Sequence, residues 1–167
     1  VGYVELEGQL RVEARLTDVV APLRDVVIRG NRIEQSHRDG LQVIDDDATT
    51  TTAKSATLVT IDRNIITGAG RSGLGLLAGG NSSEDYSGAS LVERITVTNN
   101  TFDGNNHGIT GGDNLVAVNN VFAHHVGPAL KNVDGASRVA YSQFFANGAA
   151  NTASNVDAAT SRTGDPM

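Results

Sequence analysis

An asparagine two residues before an isoleucine or phenylalanine, and preceded by alternating apolar residues, recurs four times in this chain. The copies are VVIRGNRIEQ, VTIDRNIITG, ITVTNNTFDG and VAVNNVFAHH, with the asparagines at Asn31, Asn64, Asn100 and Asn120. A short unit that repeats must stack on its neighbours, because one copy alone cannot bury its apolar face. The repeat therefore predicts a solenoid rather than a fold with a single closed core.

The spacing of apolar residues inside each copy is that of a β-strand. Ile95 and Val97 alternate with threonines, which is the period of two expected when one face of a strand is buried. Asn100 interrupts this strand, and Phe102 points back to the interior. Each unit is therefore predicted to contain a strand, a bend, a short strand, a turn and a further strand, which makes the chain all-β.

A fifth, degraded copy, VAYSQFFANG, is predicted to place Gln143 at the asparagine position. The successive spacings are then 33, 36, 20 and 23 residues. The two shorter spacings are close to the minimum for one circuit of a three-sided coil. The two longer ones are therefore predicted to contain insertions, near 45–56 and 79–90, which map to loops on one face of the stack.

This arrangement resembles the repeat of the right-handed parallel β-helix, the pectate-lyase-like superfamily, over roughly residues 25–150. The resemblance implies about five to six coils, with the repeated asparagines forming an Asn ladder between them. Asparagine tolerates the left-handed backbone conformation of a sharp bend, and its amide can donate to one coil and accept from another. An antiparallel sandwich would also give short alternating strands, but not the same asparagine at the same offset.

The length of 167 residues predicts one domain. We divide it into an N-terminal strand or cap region (1–24), repeat coils (25–150) and an irregular C-terminal cover or tail (151–167). The first region alternates apolar and charged residues around Gly8, which predicts one or two strands, with a short amphipathic helix over 9–16 as the alternative. The ending Gly-Asp-Pro-Met suggests a piece of a longer polypeptide, whose flanking segments would be its partners.

Composition excludes several classes of function. The net charge is −6 and there are only two lysines, whereas a nucleic-acid-binding protein normally carries a basic stripe. No apolar stretch is long enough for a helical membrane span, and the absence of cysteine rules out disulfides and thiolate metal sites. An anionic polymer is a possible substrate only if the arginines of this chain cluster locally.

Polar residues of the turn that precedes each coil's last strand are the candidate catalytic residues. Counting back from Gly40, Gly73, Gly108 and Gly127 predicts that all four histidines share one column of equivalent positions. A histidine base beside an arginine cation suits a lyase or epimerase, which removes a proton and stabilises the resulting charge. The alternative is that these are solvated turn residues. The candidates are His37, Arg38, Asp39, Arg71, His107, His124 and His125.

Three consecutive carboxylates, Asp45, Asp46 and Asp47, are the candidate metal ligands. Carboxylate oxygens suit Ca²⁺, a hard cation, although a solvated acidic loop is the alternative. A similar, weaker candidate is the segment Glu84–Tyr86, whose tyrosine could instead stack on a sugar ring.

The resemblance implies an extracellular or cell-surface protein that binds or processes a polysaccharide. The alternative is a non-catalytic surface, adhesin or structural solenoid. Candidate side chains that converge on a groove would favour the enzyme, and side chains spread into solvent would favour the structural protein. No nucleophile elbow of a serine hydrolase and no phosphate-binding loop is present.

Overall fold

The computed structural model describes residues 3–5, 9–14, 25–45, 55–78, 92–112 and 114–165. Within these ranges the regular elements are all β-strands, and they form three sheets of seven, six and five strands. Neighbouring strands are parallel, except that the first two strands pair antiparallel. The prediction of an all-β chain is therefore confirmed for the described residues.

Three sheets run along the stack, and each coil contributes one strand to each of them. Sheet A contains β1 (Tyr3–Glu5), β2 (Gln9–Ala14), β5 (Leu41–Asp45), β8 (Ser72–Ala78), β11 (His107–Thr110), β14 (Leu130–Val133) and β17 (Thr152–Ser154). Sheet B contains β3 (Val26–Arg29), β6 (Ser55–Asp62), β9 (Val92–Thr98), β12 (Leu115–Val118) and β15 (Arg138–Ala140). Sheet C contains β4 (Arg32–Glu34), β7 (Ile65–Thr67), β10 (Thr101–Asp103), β13 (Val121–Ala123), β16 (Gln143–Phe145) and β18 (Arg162–Thr163).

One coil runs from a strand of sheet B through sheet C to sheet A. Five complete coils lie between β3 and β17, and β18 places a sixth strand on sheet C. Each strand pairs with its equivalent in the next coil, and coils of paired strands stack about 4.8 Å apart. The chain is therefore a parallel β-solenoid, as its repeat predicts.

Apolar side chains of the three sheets fill the interior. The rings of Phe102, Phe122 and Phe144 lie on successive strands of sheet C and stack with centroids 5.1 Å apart. Ile66 precedes them in the same column and is fully buried. A fully buried side chain of this size contributes roughly 1.5–3 kcal/mol relative to an exposed one, so this column is a large part of what holds the coils together.

The repeated asparagines form the predicted ladder. Asn64 Oδ1 accepts the backbone N–H of Asn31 at 2.9 Å and its Nδ2 group at 3.0 Å. Asn64 Nδ2 donates in turn to Asn100 Oδ1 and to a carbonyl oxygen of the preceding coil. Asn100 repeats both contacts, with Asn120 Oδ1 and the carbonyl oxygen of Ile61, and Asn120 Nδ2 repeats the second, with the carbonyl oxygen of Val97. Because the side chains of Asn64, Asn100 and Asn120 are buried, their bonds satisfy amide groups that water cannot reach.

The fifth member of this ladder is Ser142, so the prediction for Gln143 is wrong. Ser142 Oγ accepts the backbone N–H of Asn120 at 3.3 Å, whereas Gln143 pairs with Val121 in sheet C. The last spacing is therefore 22 residues, and Ser161 continues the column 19 residues later. The backbone register places residue 142, and not residue 143, opposite Asn120. The short serine hydroxyl at this position is close enough to accept the hydrogen bond. We call Asn31, Asn64, Asn100, Asn120 and Ser142 the first ladder.

The left-handed residue at each bend is the one before the ladder residue, which corrects the prediction that the asparagine itself is left-handed. This column holds Gly30, Arg63, Asn99, Asn119 and Tyr141, with φ between 51° and 68°. The preceding residue turns the chain, and the ladder residue can then align its side chain along the stack.

The two ends of the chain differ in how well they follow the prediction. The two predicted N-terminal strands are present as β1 and β2, and the helical alternative over 9–16 is wrong for the described residues 9–14. At the other end, β17 and β18 continue sheets A and C, so the described residues 151–165 contain regular strands where an irregular cover or tail is predicted. Their sequences contain few apolar residues, so backbone pairing rather than side-chain pattern defines them.

Candidate functional site at the corner between sheets C and A

The turns that link sheet C to sheet A form one edge of the solenoid, which we call the C–A corner. It contains residues 35–40, 68–71, 104–106, 124–129 and 146–151. All four histidines lie in these turns or directly after one of them. The segments 46–54 and 79–91, which contain most of the predicted insertions, follow strands of sheet A and lie outside the described residues.

The histidines share a corner but not a column, so the prediction of one column is wrong. Ile109 pairs with Leu130, which places Ala129, and not Gly127, opposite Gly108. Between the paired residues Asp103 and Ala123 and the paired residues Ile109 and Leu130, the third coil has five residues (104–108) and the fourth has six (124–129), which is why counting back from a glycine fails. His107 lies opposite Ser72, and the other three histidines occupy three further positions of the turn.

Asp39 is buried and holds the corner of the first two coils. Its Oδ1 accepts the backbone N–H of Ser72 at 2.9 Å, and its Oδ2 accepts Nε2 of Gln42 at 2.8 Å. The carboxylate lies against Gly75 of the next coil, where a Cβ atom would be only 2.7 Å from Oδ2. Any residue larger than glycine at position 75 would therefore collide with the carboxylate. Its exposure is 0%, which leaves no face for a substrate.

His125 belongs to a second ladder that the sequence reasoning missed. Asn105 Oδ1 accepts the backbone N–H of Ala69 at 2.8 Å, and His125 Nδ1 accepts that of Asn105 at 3.2 Å. Asn147 Oδ1 then accepts the N–H of His125. Each member lies five residues after a member of the first ladder, which is the signal that could have revealed it. We call Ala69, Asn105, His125 and Asn147 the second ladder.

The His125 ring is neutral near pH 7. Only 2% of the residue is exposed, and burial lowers the pKa of His125 to about 4. Because the Asn105 N–H points at Nδ1, the ring proton resides on Nε2. Nε2 is itself buried and has no hydrogen-bond partner. His125 is therefore a structural member of the ladder rather than a base that could reach a substrate.

The other two histidines of the third and fourth coils differ in exposure. His107 is half-buried, its Nδ1 lies 3.3 Å from the carbonyl oxygen of Pro128, and burial is the main reason that its pKa is lowered. His124 is exposed, and its Nδ1 lies 2.7 Å from Asp103 Oδ1. The His124 ring also meets the edge of Phe145, with centroids 5.2 Å apart.

His37, Arg38 and Arg71 lie together on the first two coils. The backbone N–H of Arg71 donates to the carbonyl oxygen of Arg38 at 3.0 Å, so the two arginines are on adjacent coils. His37 and Arg38 are exposed, and Arg71 is half-buried. Of the seven predicted site residues, these three and His124 are therefore the ones that a ligand could reach most directly.

The candidate metal site falls mostly outside the described residues. Asp45 ends β5, whereas Asp46, Asp47 and Glu84–Tyr86 are not described. Among the described residues, no three His, Cys, Asp or Glu side chains are placed to hold a metal ion. In the same ranges there is no helix that is long and apolar enough to cross a membrane.

A depression of about 410 Å³ lies at the C–A corner of the last coil and was not predicted from the sequence. Phe145, Asn151 and Thr163 are among the residues that line it. Asn151 uses its Oδ1 to accept the backbone N–H of Leu130 at 3.0 Å. The complete lining is Phe144, Phe145, Ala146, Asn147, Ala149, Ala150, Asn151, Thr163 and Gly164.

Comparison with protein-family models, curated proteins and solved structures gives no significant match. The chemistry must therefore be judged from the corner itself. The buried Asp39 and His125 are taken up by structural bonds, and the accessible candidates are mainly cationic or imidazole groups. Such a surface can bind hydroxyls, anions and sugar rings.

Proposed function

We propose that this chain is an extracellular β-helix protein that binds a polysaccharide on its C–A corner without cleaving it. A right-handed winding of the coils is part of the proposal, because nearly all crossovers between parallel strands are right-handed. The likeness of its repeat to that of pectate-lyase-like proteins also supports this fold and a secreted location.

The depression at the last coil is the observation that carries the proposal. Its lining includes an aromatic residue, Phe145, and residues with amide and hydroxyl side chains, Asn151 and Thr163. Aromatic rings pack on the apolar faces of sugars, while a few polar groups fix their orientation. His124 extends this surface, because its exposed ring contacts Phe145.

Two features favour binding over catalysis. General acid–base catalysis needs a base within hydrogen-bond reach of the substrate and a pKa near the working pH. Asp39 and His125 are buried, and the pKa of His125 is lowered to about 4 by burial. The remaining candidates are spread over the first four coils.

Calorimetric titration with neutral and uronate-containing oligosaccharides tests the binding proposal. Phe145→Ala should weaken binding at least tenfold, because it removes the ring from the depression. Ile65→Ala is the matched control, since Ile65 is an exposed apolar residue on the outer face of the same sheet. It should change the affinity less than twofold. Failure of the wild-type protein to bind any of these oligosaccharides would overturn the proposal.

Incubation with the same polysaccharides, with added Ca²⁺ and separately with EDTA, tests the absence of cleavage. We expect no new chain ends and no unsaturated products in either condition. Products that disappear in His37→Ala or Arg71→Ala would instead identify an enzyme at the first two coils.

A non-catalytic structural or adhesin segment is the second candidate. The observation in its favour is that the four histidines spread over four positions of the corner instead of converging. Folded protein that binds none of the oligosaccharides would support this candidate.

A further inference from the structure

Asp62 lies at the end of β6, on the outer face of sheet B beside the bend to sheet C, and gathers four donors. Its Oδ1 accepts Thr98 Oγ1 at 3.0 Å and Asn99 Nδ2 at 2.8 Å. Its Oδ2 accepts Arg29 Nε at 2.9 Å and lies 3.1 Å from Arg63 Nε. The carboxylate side chain is only 6% exposed, so these contacts surround it almost completely.

The two arginines are held close to each other by this one carboxylate. Since both Nε atoms lie within 3.1 Å of the same oxygen, they are at most about 6 Å apart. The side chains of Arg29 and Arg63 are 55% and 68% exposed, and within the described ranges their η-nitrogens have no hydrogen-bond acceptor. Hydrogen bonding, first of all from Asn99, lowers the pKa of Asp62, so the group is ionised near pH 7.

Among the residues that the structure describes, this arrangement sets two positive charges against one carboxylate. Two guanidinium groups share a single carboxylate, and their remaining N–H donors face solvent. Guanidinium groups present planar sets of donors that match the oxygens of carboxylate, sulfate and phosphate groups. An oxyanion that bridges the two arginines would therefore complete both their charge and their hydrogen bonds.

Arg63 is not needed to form the bend where it lies. Its φ of 54° is a left-handed conformation, and the same column holds Gly30, Asn99 and Asn119, which adopt it at lower cost. Asp62 is also satisfied by Arg29, Thr98 and Asn99 without it. Arg63 is therefore required neither by the bend nor by Asp62, and its exposed guanidinium group is accessible to a ligand.

We infer that Arg29 and Arg63 form a binding site for an oxyanion group, either a carboxylate or a sulfate, carried by an acidic polysaccharide. That the carrier is a polysaccharide rests on the proposed function, whereas the anion site rests on the arginine geometry alone. The site lies on the first two coils, at the opposite edge of sheet C from the C–A corner.

Binding of three oligosaccharides with one common backbone tests the inference. One is uncharged, one carries carboxylates and one carries sulfate esters, and each is titrated into wild-type protein and Arg63→Asn. This variant introduces the residue of the next two coils, so the bend and the unfolding temperature should be kept or improved. We expect at least tenfold weaker binding of the charged oligosaccharides and less than a twofold change for the uncharged one. Loss with only one of them identifies the anion.

Arg138→Asn is the matched control, because Arg138 is an exposed arginine on the same sheet and pairs with Asp157 at 3.4 Å. An equal loss in both variants would show a general charge effect and overturn the site, as would wild-type affinity in Arg63→Asn. Arg29→Gln should repeat the loss without touching the bend. Failure of the carbohydrate proposal is recognised separately. The uncharged oligosaccharide would then not bind wild-type protein, while inorganic sulfate would still bind wild-type protein more tightly than Arg63→Asn.

Discussion

The two ladders of this solenoid use the same hydrogen-bonding scheme, but the residue type at the ladder position varies more in the second ladder than in the first. The first ladder has asparagine in four coils and serine in the fifth, with amide contacts of 2.9–3.0 Å between the asparagines. The second has alanine, asparagine, histidine and asparagine, with contacts of 2.8–3.2 Å. One edge of the stack is therefore uniform and the other is variable.

Turn length explains the difference. At the first ladder one residue forms the bend in every coil, so the same side chain meets the same partners each time. At the C–A corner the third coil is one residue shorter than the fourth, and the groups that meet differ accordingly. Variation in loops over a constant framework is where binding residues are usually found. The comparison therefore favours the variable edge for the proposed depression and the uniform edge for stability, with the arginine pair of the first two coils as the exception on the uniform edge.

Asn100→Ala should give the largest effect, a loss of about 4 kcal/mol in the free energy of unfolding. It leaves the buried N–H of Asn64 and the carbonyl oxygen of Ile61 without their partners, and each such group costs roughly 1–3 kcal/mol. Asn105→Ala strands the equivalent N–H of Ala69 and carbonyl oxygen of Ile66 but no side-chain amide like that of Asn64, so it should cost about 1 kcal/mol less. Urea unfolding of both variants measures the difference. Equal losses would contradict the distinction between the ladders.

Histidine at position 125 makes the second ladder sensitive to acid. Burial lowers the pKa of His125 to about 4, below the value of about 6.5 expected in the unfolded chain. The unfolded state therefore takes up a proton first, and stability falls as the pH drops from about 6.5 to 4. The lost contribution is about 3 kcal/mol, and no further loss from this group occurs below pH 4.

His125→Asn should remove this pH dependence, because asparagine occupies the same column in the third and fifth coils. The carboxylates of Asp62 and Asp157, whose pKa values are also lowered, titrate in both proteins. The difference between the two unfolding curves from pH 7 to 4 therefore isolates the histidine. Parallel curves would show that the ring is not buried as a neutral group.

The sequence predicts the uniform edge well and the variable edge poorly. The offset from Ile28 to Asn31 to Ile33 is the same in four coils, so the strand, the bend and the next strand can all be assigned from it. The C–A corner has no constant offset, and aligning Gly127 with Gly108 placed His124 and His125 wrongly. Whether a turn holds five or six residues depends on tertiary contacts that residue patterns do not specify.

The sequence also does not predict which side chains of the corner are buried and which are exposed. Asp39 is a turn residue before a glycine, which favours a solvated position, yet Gly75 on the next coil leaves the space in which its carboxylate is buried. The depression beside Phe145 arises because residues far apart in sequence, Asn151 and Thr163, meet at the last coil. Neither feature has a signature in the residues that surround it.

Ser142→Asn should extend the first ladder and stabilise the protein by about 1 kcal/mol. Ser142 Oγ accepts only the N–H of Asn120, at 3.3 Å, whereas an asparagine there could also accept the Nδ2 group and donate to a carbonyl oxygen of the preceding coil, as the other members do. Each added hydrogen bond contributes roughly 0.5–1.5 kcal/mol. Gln143→Asn is the control, because its side chain lies one residue further on, in sheet C, and should add nothing. If Gln143→Asn stabilises and Ser142→Asn does not, the ladder ends at the fourth coil and the assignment of Ser142 to it is wrong.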